Sequence, residues 1–325
     1  MRIFISGGCG FIGSHLVERL AGRHEVTLYD DLSSGKKAFI APFLKSGKVK
    51  LIQDDLLNTR RLYRAMKGHD LVFHLAANPD IRYGIEKTDT DLKLGTLATY
   101  NILEGMRRNG IPRIAFASSS VVYGEPRQFP TPEDYGPLLP LSLYGASKLA
   151  CEGLLTAFAH TFGITACIFR FANIVGGRTT HGVLHDFRNK LRKDPDVLEV
   201  LGDGKQKKSY LLVDDCISAM RYVIRRTGGR NPRGEGAAHV FNLGSGDQVS
   251  IAEIAHLMVK TFGSPGAQIR YTGGRRGWRG DVPTMRLDVS RINRLGWKAR
   301  LGSRGAVEEA IRRMKEEEES AKCKM

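Results

Sequence analysis

Short apolar runs alternate with longer segments in which apolar positions recur every three to four residues, and this pattern continues from the start of the chain to about residue 162. The runs Arg2 to Ser6, Glu25 to Tyr29, Val49 to Gln53, Asp70 to His74 and Arg113 to Ala117 predict strands. Helical periodicity covers Ser14 to Leu20, about Asn58 to Met66, roughly Asp91 to Arg108, and about Ser142 to Phe162. Strand and helix in strict alternation predict an α/β fold with a doubly wound parallel sheet. Ligands in such sheets sit beyond the carboxyl ends of the strands. The loops at 7–13, 30–35, 54–56, 75–79 and 118–124 are therefore expected to converge on one crevice.

Beyond about Asn173 the pattern thins into loop-rich sequence marked by Gly176-Gly177, Gly202, Gly228-Gly229 and Gly273-Gly274. Helix signals recur at about Val213 to Arg226, Ser250 to Phe262 and Ser303 to Glu319. The expected division is a first domain over 1–173, to which the chain returns around 211–244, and a smaller α/β domain over 174–325. There is no internal repeat and no low-complexity linker.

Composition narrows the class. A chain of 325 residues, 42% hydrophobic and 26% charged, can bury a sizeable core. Residue 2 already opens the first strand and no apolar run approaches membrane-spanning length, so a cytoplasmic protein is expected. Cys9, Cys151, Cys167, Cys216 and Cys323 are odd in number, scattered and without Cys-x-x-Cys spacing, which predicts inert thiols and no metal. The net charge of +16 raises the question of nucleic acid, but the basic residues are dispersed. Short groups such as Lys205-Gln206-Lys207-Lys208, Arg225-Arg226 and Arg275-Arg276 suit a small anionic substrate or solvated surface equally well, and no nucleic-acid signature accompanies them. The run Glu316 to Glu319 reads as a solvated helix face.

Candidate chemistry starts at the first turn. Gly7, Gly10 and Gly13 lie between the first strand and first helix, where missing Cβ atoms let a pyrophosphate approach backbone N–H groups at the positive end of a helix dipole. The second strand ends on Asp30 and Asp31, about twenty residues beyond the loop. A carboxylate there accepts hydrogen bonds from a ribose diol and repels a 2′-phosphate, which selects NAD over NADP and makes the sheet a Rossmann domain.

Two further positions at the same edge can do chemistry. Ser118-Ser119-Ser120 closes one strand, and Tyr144 and Lys148 share one face near the start of the next helix. A bare Tyr-x-x-x-Lys is ordinarily a packed tyrosine beside a solvated lysine. Downstream of a dinucleotide loop and a serine-ended strand, it reads as a base whose ordinary pKa near 10 is lowered by nearby positive charge.

Gly7-Gly8-Cys9-Gly10-Phe11-Ile12-Gly13-Ser14-His15-Leu16, His74-Leu75-Ala76-Ala77, Ser118 through Gly124 and Tyr144-Gly145-Ala146-Ser147-Lys148 together resemble the extended short-chain dehydrogenase/reductases. The likeness is strongest to the UDP-glucose 4-epimerases, particularly shorter archaeal-type sequences with stretches like His74 to Arg82. It spans nearly the whole chain, with Arg170-Phe171-Ala172-Asn173, Leu201 to Gln206, Asn242 to Gly246 and Gly280-Asp281-Val282 as later markers.

The resemblance implies Tyr144 as catalytic base, Lys148 as its activator and ribose contact, and Ser119 as partner of the reacting sugar oxygen, with Ser118 and Ser120 as lesser alternatives. It implies NAD contacts from Gly7, Gly10, Phe11, Ile12, Gly13, Asp30, Asp31, Ser33, Gly35, Asp55, Leu56, Leu75, Ala76 and Ala77. Asn173, Lys208 and Arg279 would meet the diphosphate of a UDP-sugar, with Arg275 and Arg276 as alternatives to Arg279. A homodimer, paired through the helices at about 91–108 and 142–162, is a further implication.

The chain departs from the family pattern in its second half. Lys208-Ser209-Tyr210 stands where many relatives have Arg-Asp-Phe or Arg-Asp-Tyr, and Trp278 stands where they often have Arg. Met285 lies near the position that gates hexose size, and its intermediate bulk leaves N-acetylhexosamines open. Other nucleotide-sugar epimerases or 4,6-dehydratases are the nearest alternatives. Those dehydratases usually place acids just after the strand-end Ser or Thr, where this chain has Val121-Val122. A non-catalytic NAD- or RNA-binding protein would need none of Ser119, Tyr144 and Lys148.

Overall fold

The computed structural model describes residues 1–227, 236–278 and 280–322. Gly228, Gly229, Arg279 and Cys323, singled out above, lie outside the described residues. The chain divides into two compact units, the first being Met1–Val122, Leu138–Arg170 and Ile217–Phe241, the second Tyr123–Pro137, Phe171–Cys216 and Asn242–Met325.

The first unit is built from β1 (Arg2–Ser6), α1 (Phe11–Leu20), β2 (Glu25–Asp30), α2 (Lys37–Leu44), β3 (Val49–Gln53), α3 (Thr59–Met66) and β4 (Leu71–His74). After α4 (Tyr83–Glu86) and a π-helical stretch (Leu92–Leu97) come α5 (Ala98–Asn109), β5 (Arg113–Ser119), α6 (Leu143–Phe162) and β6 (Thr165–Phe171). The strand order is Ala237–Leu243, β6, β5, β4, β1, β2, β3. Strand β1 pairs in parallel with both β2 and β4, so the order reverses beside β1 and opens a crevice at its carboxyl end, as expected of a doubly wound sheet.

The strands are apolar on both faces because helices cover both. Phe4, Val72, Ile114, Phe116 and Ile168 pack with Ile102 and Met106 of α5 and Leu155 of α6, all fully or nearly fully buried. Helix α2 escapes a periodicity reading because Pro42 lies inside it. The expected helix from Asp91 is continuous in sequence but changes form, being π-helical until Leu97 and α-helical from Ala98.

The second unit contains only short strands. Asn173–Val175 pairs in parallel with Tyr210–Leu212, Val197–Val200 with Gln268–Tyr271, and Lys207–Lys208 lies between Val249–Ser250 and Thr284–Met285. Helices Val183–Lys193, Ile251–Phe262 and Ser303–Lys322 pack around Leu184, Phe187, Leu198, Met258 and Met314. Among the described residues, no helix is long and apolar enough to cross a membrane.

Candidate functional site

The turn after β1 is held so tightly that two of its glycines admit no side chain. A Cβ on Gly7, whose φ is +72°, would come within 2.7 Å of the Ala76 backbone nitrogen, and one on Gly13 would overlap the Gly7 carbonyl oxygen. Gly10 differs, since a Cβ there would meet only the Gly7 carbonyl oxygen, at 3.4 Å. The protein's own packing does not require glycine at that position. It caps α1 without a side-chain hydrogen bond, and the first turn of the helix carries no acid. These N–H groups and the bare backbone at Gly10 fit an anionic phosphate bridge, which is the demand a dinucleotide makes.

Phe11 and Ile12 open α1, and buried Asp30 ends β2 beside it. The two Asp30 oxygens accept from the Cys9 and Leu32 N–H groups at 2.8 and 2.9 Å, leaving further lone pairs for a diol. Asp31 is turned to its own loop, accepting from the N–H and hydroxyl of Ser33. Gly35 packs onto this corner, where a Cβ would lie 2.8 Å from that of Cys9. Burial pushes the Cys9 thiol up to about 12, so it is inert beside the loop. Asp55 is exposed with one oxygen on the Leu57 N–H, while buried Leu56 offers its carbonyl to Asn101. Leu75 donates to the Ser6 carbonyl, which brings Leu75, Ala76 and Ala77 alongside the glycine turn.

Below them, buried His74 is held between Ser6 and Thr99, 2.6 and 3.0 Å from its two ring nitrogens. Burial, with the Lys148 charge adding to it, lowers its pKa to about 3, so it is a neutral structural imidazole.

The structure separates the three serines that close β5. Ser118 is buried and donates to Glu152, Ser120 begins the tight turn Ser120–Tyr123, and half-buried Ser119 accepts from the Val121 N–H at 3.4 Å. Helix α6 is capped by Ser142, whose side chain accepts from the Gly145 N–H, and its first turn carries Tyr144. Lys148, 3% exposed, donates to the Ala117 carbonyl at 2.7 Å. Its ammonium lies 4.7 Å from the Phe116 ring centroid and 5.6 Å from that of Tyr144. Burial is the main force on both groups, holding the Tyr144 phenol above its ordinary value and the Lys148 ammonium below its own.

Two carboxylates near this pair escaped the sequence reading. Glu152 is four residues beyond Lys148 on the same helix face, and that spacing was the available signal. It takes a two-pronged grip from Arg170 at 3.0 and 2.7 Å, with both side chains buried. Buried Asp91 accepts from Asn78 at 3.1 Å, and its backbone carbonyl accepts from Ser147 at 2.7 Å. Nothing in the local pattern distinguishes Asp91 from its neighbours Asp80 and Asp89.

In the second unit, Asn173 donates through its side chain to the Ser209 carbonyl. Lys208 is paired with Asp281 at 2.5 Å, so its charge is already matched. Arg276 binds Glu125 at 2.8 Å as well as the Asp281 carbonyl, and the more exposed Arg275 lies 3.4 Å from the same Glu125. Met285 is buried. The described residues contain no cluster of side chains able to hold a metal.

Residues 3–244 match the model of the NAD dependent epimerase/dehydratase family. The chain is 31% identical over 319 residues to a putative UDP-glucose 4-epimerase of Methanocaldococcus jannaschii, covering 96% of this chain and 98% of that one. Among solved structures, a UDP-galactose 4-epimerase superimposes with a TM-score of 0.86 at 36% identity, covering 98% of this chain and 99% of the other. The protein MoeE5, solved in complex with UDP-glucuronic acid and NAD, gives a TM-score of 0.82 at 29% identity, covering 99% and 100%.

Proposed function

We propose that this chain, which belongs to the NAD-dependent epimerase/dehydratase family, interconverts UDP-galactose and UDP-glucose by inverting C4 through a transient 4-keto sugar. The observation that carries this reading is one helix face bearing Tyr144 and Lys148 beside the serine-ended β5. As a family member the enzyme uses NAD and acts on nucleotide sugars. The likeness to 4-epimerases supports the particular reaction.

The dinucleotide would be held by Gly7, Gly10, Phe11, Ile12 and Gly13 at its phosphates and by Asp30, with Asp31, Ser33 and Gly35, at its adenosine ribose. Asp55 and Leu56 would flank the adenine, and Leu75, Ala76, Ala77, Tyr144 and Lys148 the nicotinamide half. Bound NAD supplies a hydride acceptor that is regenerated within each turnover. Tyr144 takes the proton of the sugar 4-hydroxyl and later returns it, while Ser119 hydrogen-bonds the same oxygen. Because burial favours the neutral phenol, the phenolate depends on positive charge around it, of which Lys148 is the protein's share.

The second unit is the nucleotide-sugar domain in this reading, in which Asn173 and Lys208 would meet the diphosphate, together with Arg279, which lies outside the described residues. Lys208 would serve by sharing its ammonium between Asp281 and a phosphate oxygen. Val121-Val122 after the serines, in place of acids, favours epimerisation over 4,6-dehydration. The enzyme acts as a cytoplasmic homodimer, paired through exposed Leu92, Leu97 and Tyr100 of the π-helical stretch and α5 and through Leu143 and Phe162 of α6.

The test is conversion of UDP-galactose to UDP-glucose with and without added NAD, beside Tyr144→Phe. Wild type is expected to convert it, and the variant to lose at least about 100-fold in rate with an unchanged melting temperature. No conversion by NAD-loaded wild type would exclude UDP-galactose as substrate.

A further inference from the structure

The end of β5 is tied to α6 at two successive residues. Lys148 donates to the Ala117 carbonyl at 2.7 Å, and one turn further along the helix Glu152 accepts from the Ser118 hydroxyl at 2.5 Å. Glu152 is itself fixed from β6, the strand beside β5, whose Arg170 donates to its two oxygens at 3.0 and 2.7 Å. Ser118, Glu152 and Arg170 are all buried.

A buried ion pair is a poor source of stability, because desolvation of two charges offsets their attraction and apolar side chains can fill the same space as well. What the pair provides is direction. The two-pronged grip of a guanidinium fixes the plane of the carboxylate, which leaves one oxygen aimed at the Ser118 hydroxyl.

That direction matters one residue further on. Side chains alternate along a strand, so drawing Ser118 into the packing against α6 turns half-buried Ser119, the last residue of β5, out of it. Among the described residues the Ser119 hydroxyl has a single hydrogen bond, the 3.4 Å contact from the Val121 N–H, which is too long to hold it firmly. Its place is therefore set by the backbone, and the backbone is held at Ala117 and Ser118.

We propose that Ser118 and Glu152 are positioning residues: Glu152, braced by Arg170, clamps the Ser118 hydroxyl and so places the Ser119 hydroxyl where it meets the reacting sugar oxygen. The assignment rests on the catalytic reading of Ser119. It gives the serine run two different tasks, with Ser118 facing the core and Ser119 the substrate.

The test is a double-mutant cycle in the NAD-loaded protein with UDP-galactose. Ser118→Ala removes the clamped hydroxyl and leaves the ion pair in place. It is expected to fold, to keep KM, and to lower kcat about tenfold, as a misplaced group does. On a Ser119→Ala background the same substitution should lower kcat no further, because Ser118 acts through Ser119. Losses that multiply would mark a general effect on packing and overturn the proposal, as would a Ser118→Ala protein with wild-type kcat. Glu152→Met with Arg170→Met replaces the pair by apolar side chains and is expected to fold with kcat lowered as in Ser118→Ala. Full activity in that variant overturns the role of Glu152. If it does not fold, the Ser118 series decides, since Glu152 is the only partner of that hydroxyl among the described residues. A Ser119→Ala protein as fast as wild type would reject the catalytic reading of Ser119 and the proposal with it. If wild type converts no UDP-galactose, the epimerase reading fails by itself, and crystal structures of wild type and Ser118→Ala decide the clamp. A displaced Ser119 Oγ supports it, and an unmoved one overturns it.

Discussion

Gly10 and Gly13 carry the same residue for different reasons, and substitution separates them. At Gly13 an added methyl overlaps the Gly7 carbonyl oxygen, so the turn must move to admit it. Gly13→Ala is expected to cost about 1–3 kcal/mol, read as a lower urea midpoint, whether or not NAD is present. Gly10 has a φ of −76° that alanine adopts freely, and its nearest neighbour would be 3.4 Å away. Gly10→Ala should therefore leave the midpoint of the apoprotein in place and weaken NAD binding at least about tenfold by calorimetry, because the methyl occupies the path of the phosphates. Equal effects of the two substitutions on apoprotein stability would remove the argument that Gly10 faces the ligand.

Helix α5 shows what an element contributes through its own charges. Glu104 accepts from Arg107 and Arg108, one turn on, at 2.7 and 2.6 Å. These hydrogen bonds, the Arg107 one foremost, hold its carboxyl down at about 2. A folded pKa below the unfolded one adds stability that is fully present above the unfolded value and is lost as pH falls through the folded value. Both arginines are about half exposed, so solvent screens the pair and its contribution is small. The stability difference between wild type and Glu104→Gln should be constant above about pH 5 and shrink toward pH 2, as followed by urea unfolding. A difference that persists at pH 2 would mean the carboxamide is disturbing packing.

The element scale also shows what the sequence could reveal. Period announced the strands and long helices of the first unit, because a sheet covered on both faces needs unbroken apolar runs. The Gly7 to Gly13 turn, Tyr144 and Lys148 were legible because their spacing is local. Asp91 and Glu152 matter through contacts with chain far away, at Asn78 and Ser147 and at Arg170, and no local spacing encodes such pairings. The short strands of the second unit, such as Lys207–Lys208 and Thr284–Met285, are too brief for periodicity to register.

At the scale of the whole molecule, exposed Leu92, Leu97, Tyr100 and Phe162 stand out on a chain with a net charge of +16, which otherwise favours separation of copies. Tyr100 lies edge-on to Phe158, which in turn contacts Phe162, so α5 and α6 share one aromatic patch. Leu97→Glu with Tyr100→Glu should convert the proposed dimer to a folded monomer in sedimentation velocity. A variant that still sediments as a dimer would place the contact elsewhere.

The strand Ala237–Leu243 completes the sheet beside β6, although the chain has built Phe171–Cys216 of the second unit between them. During synthesis the outer edge of β6 therefore leaves the ribosome without its neighbour and waits several seconds for it at about 5–20 residues per second. The nascent protein carries an open sheet edge throughout that interval, and a message truncated before residue 237 yields a product that never closes it.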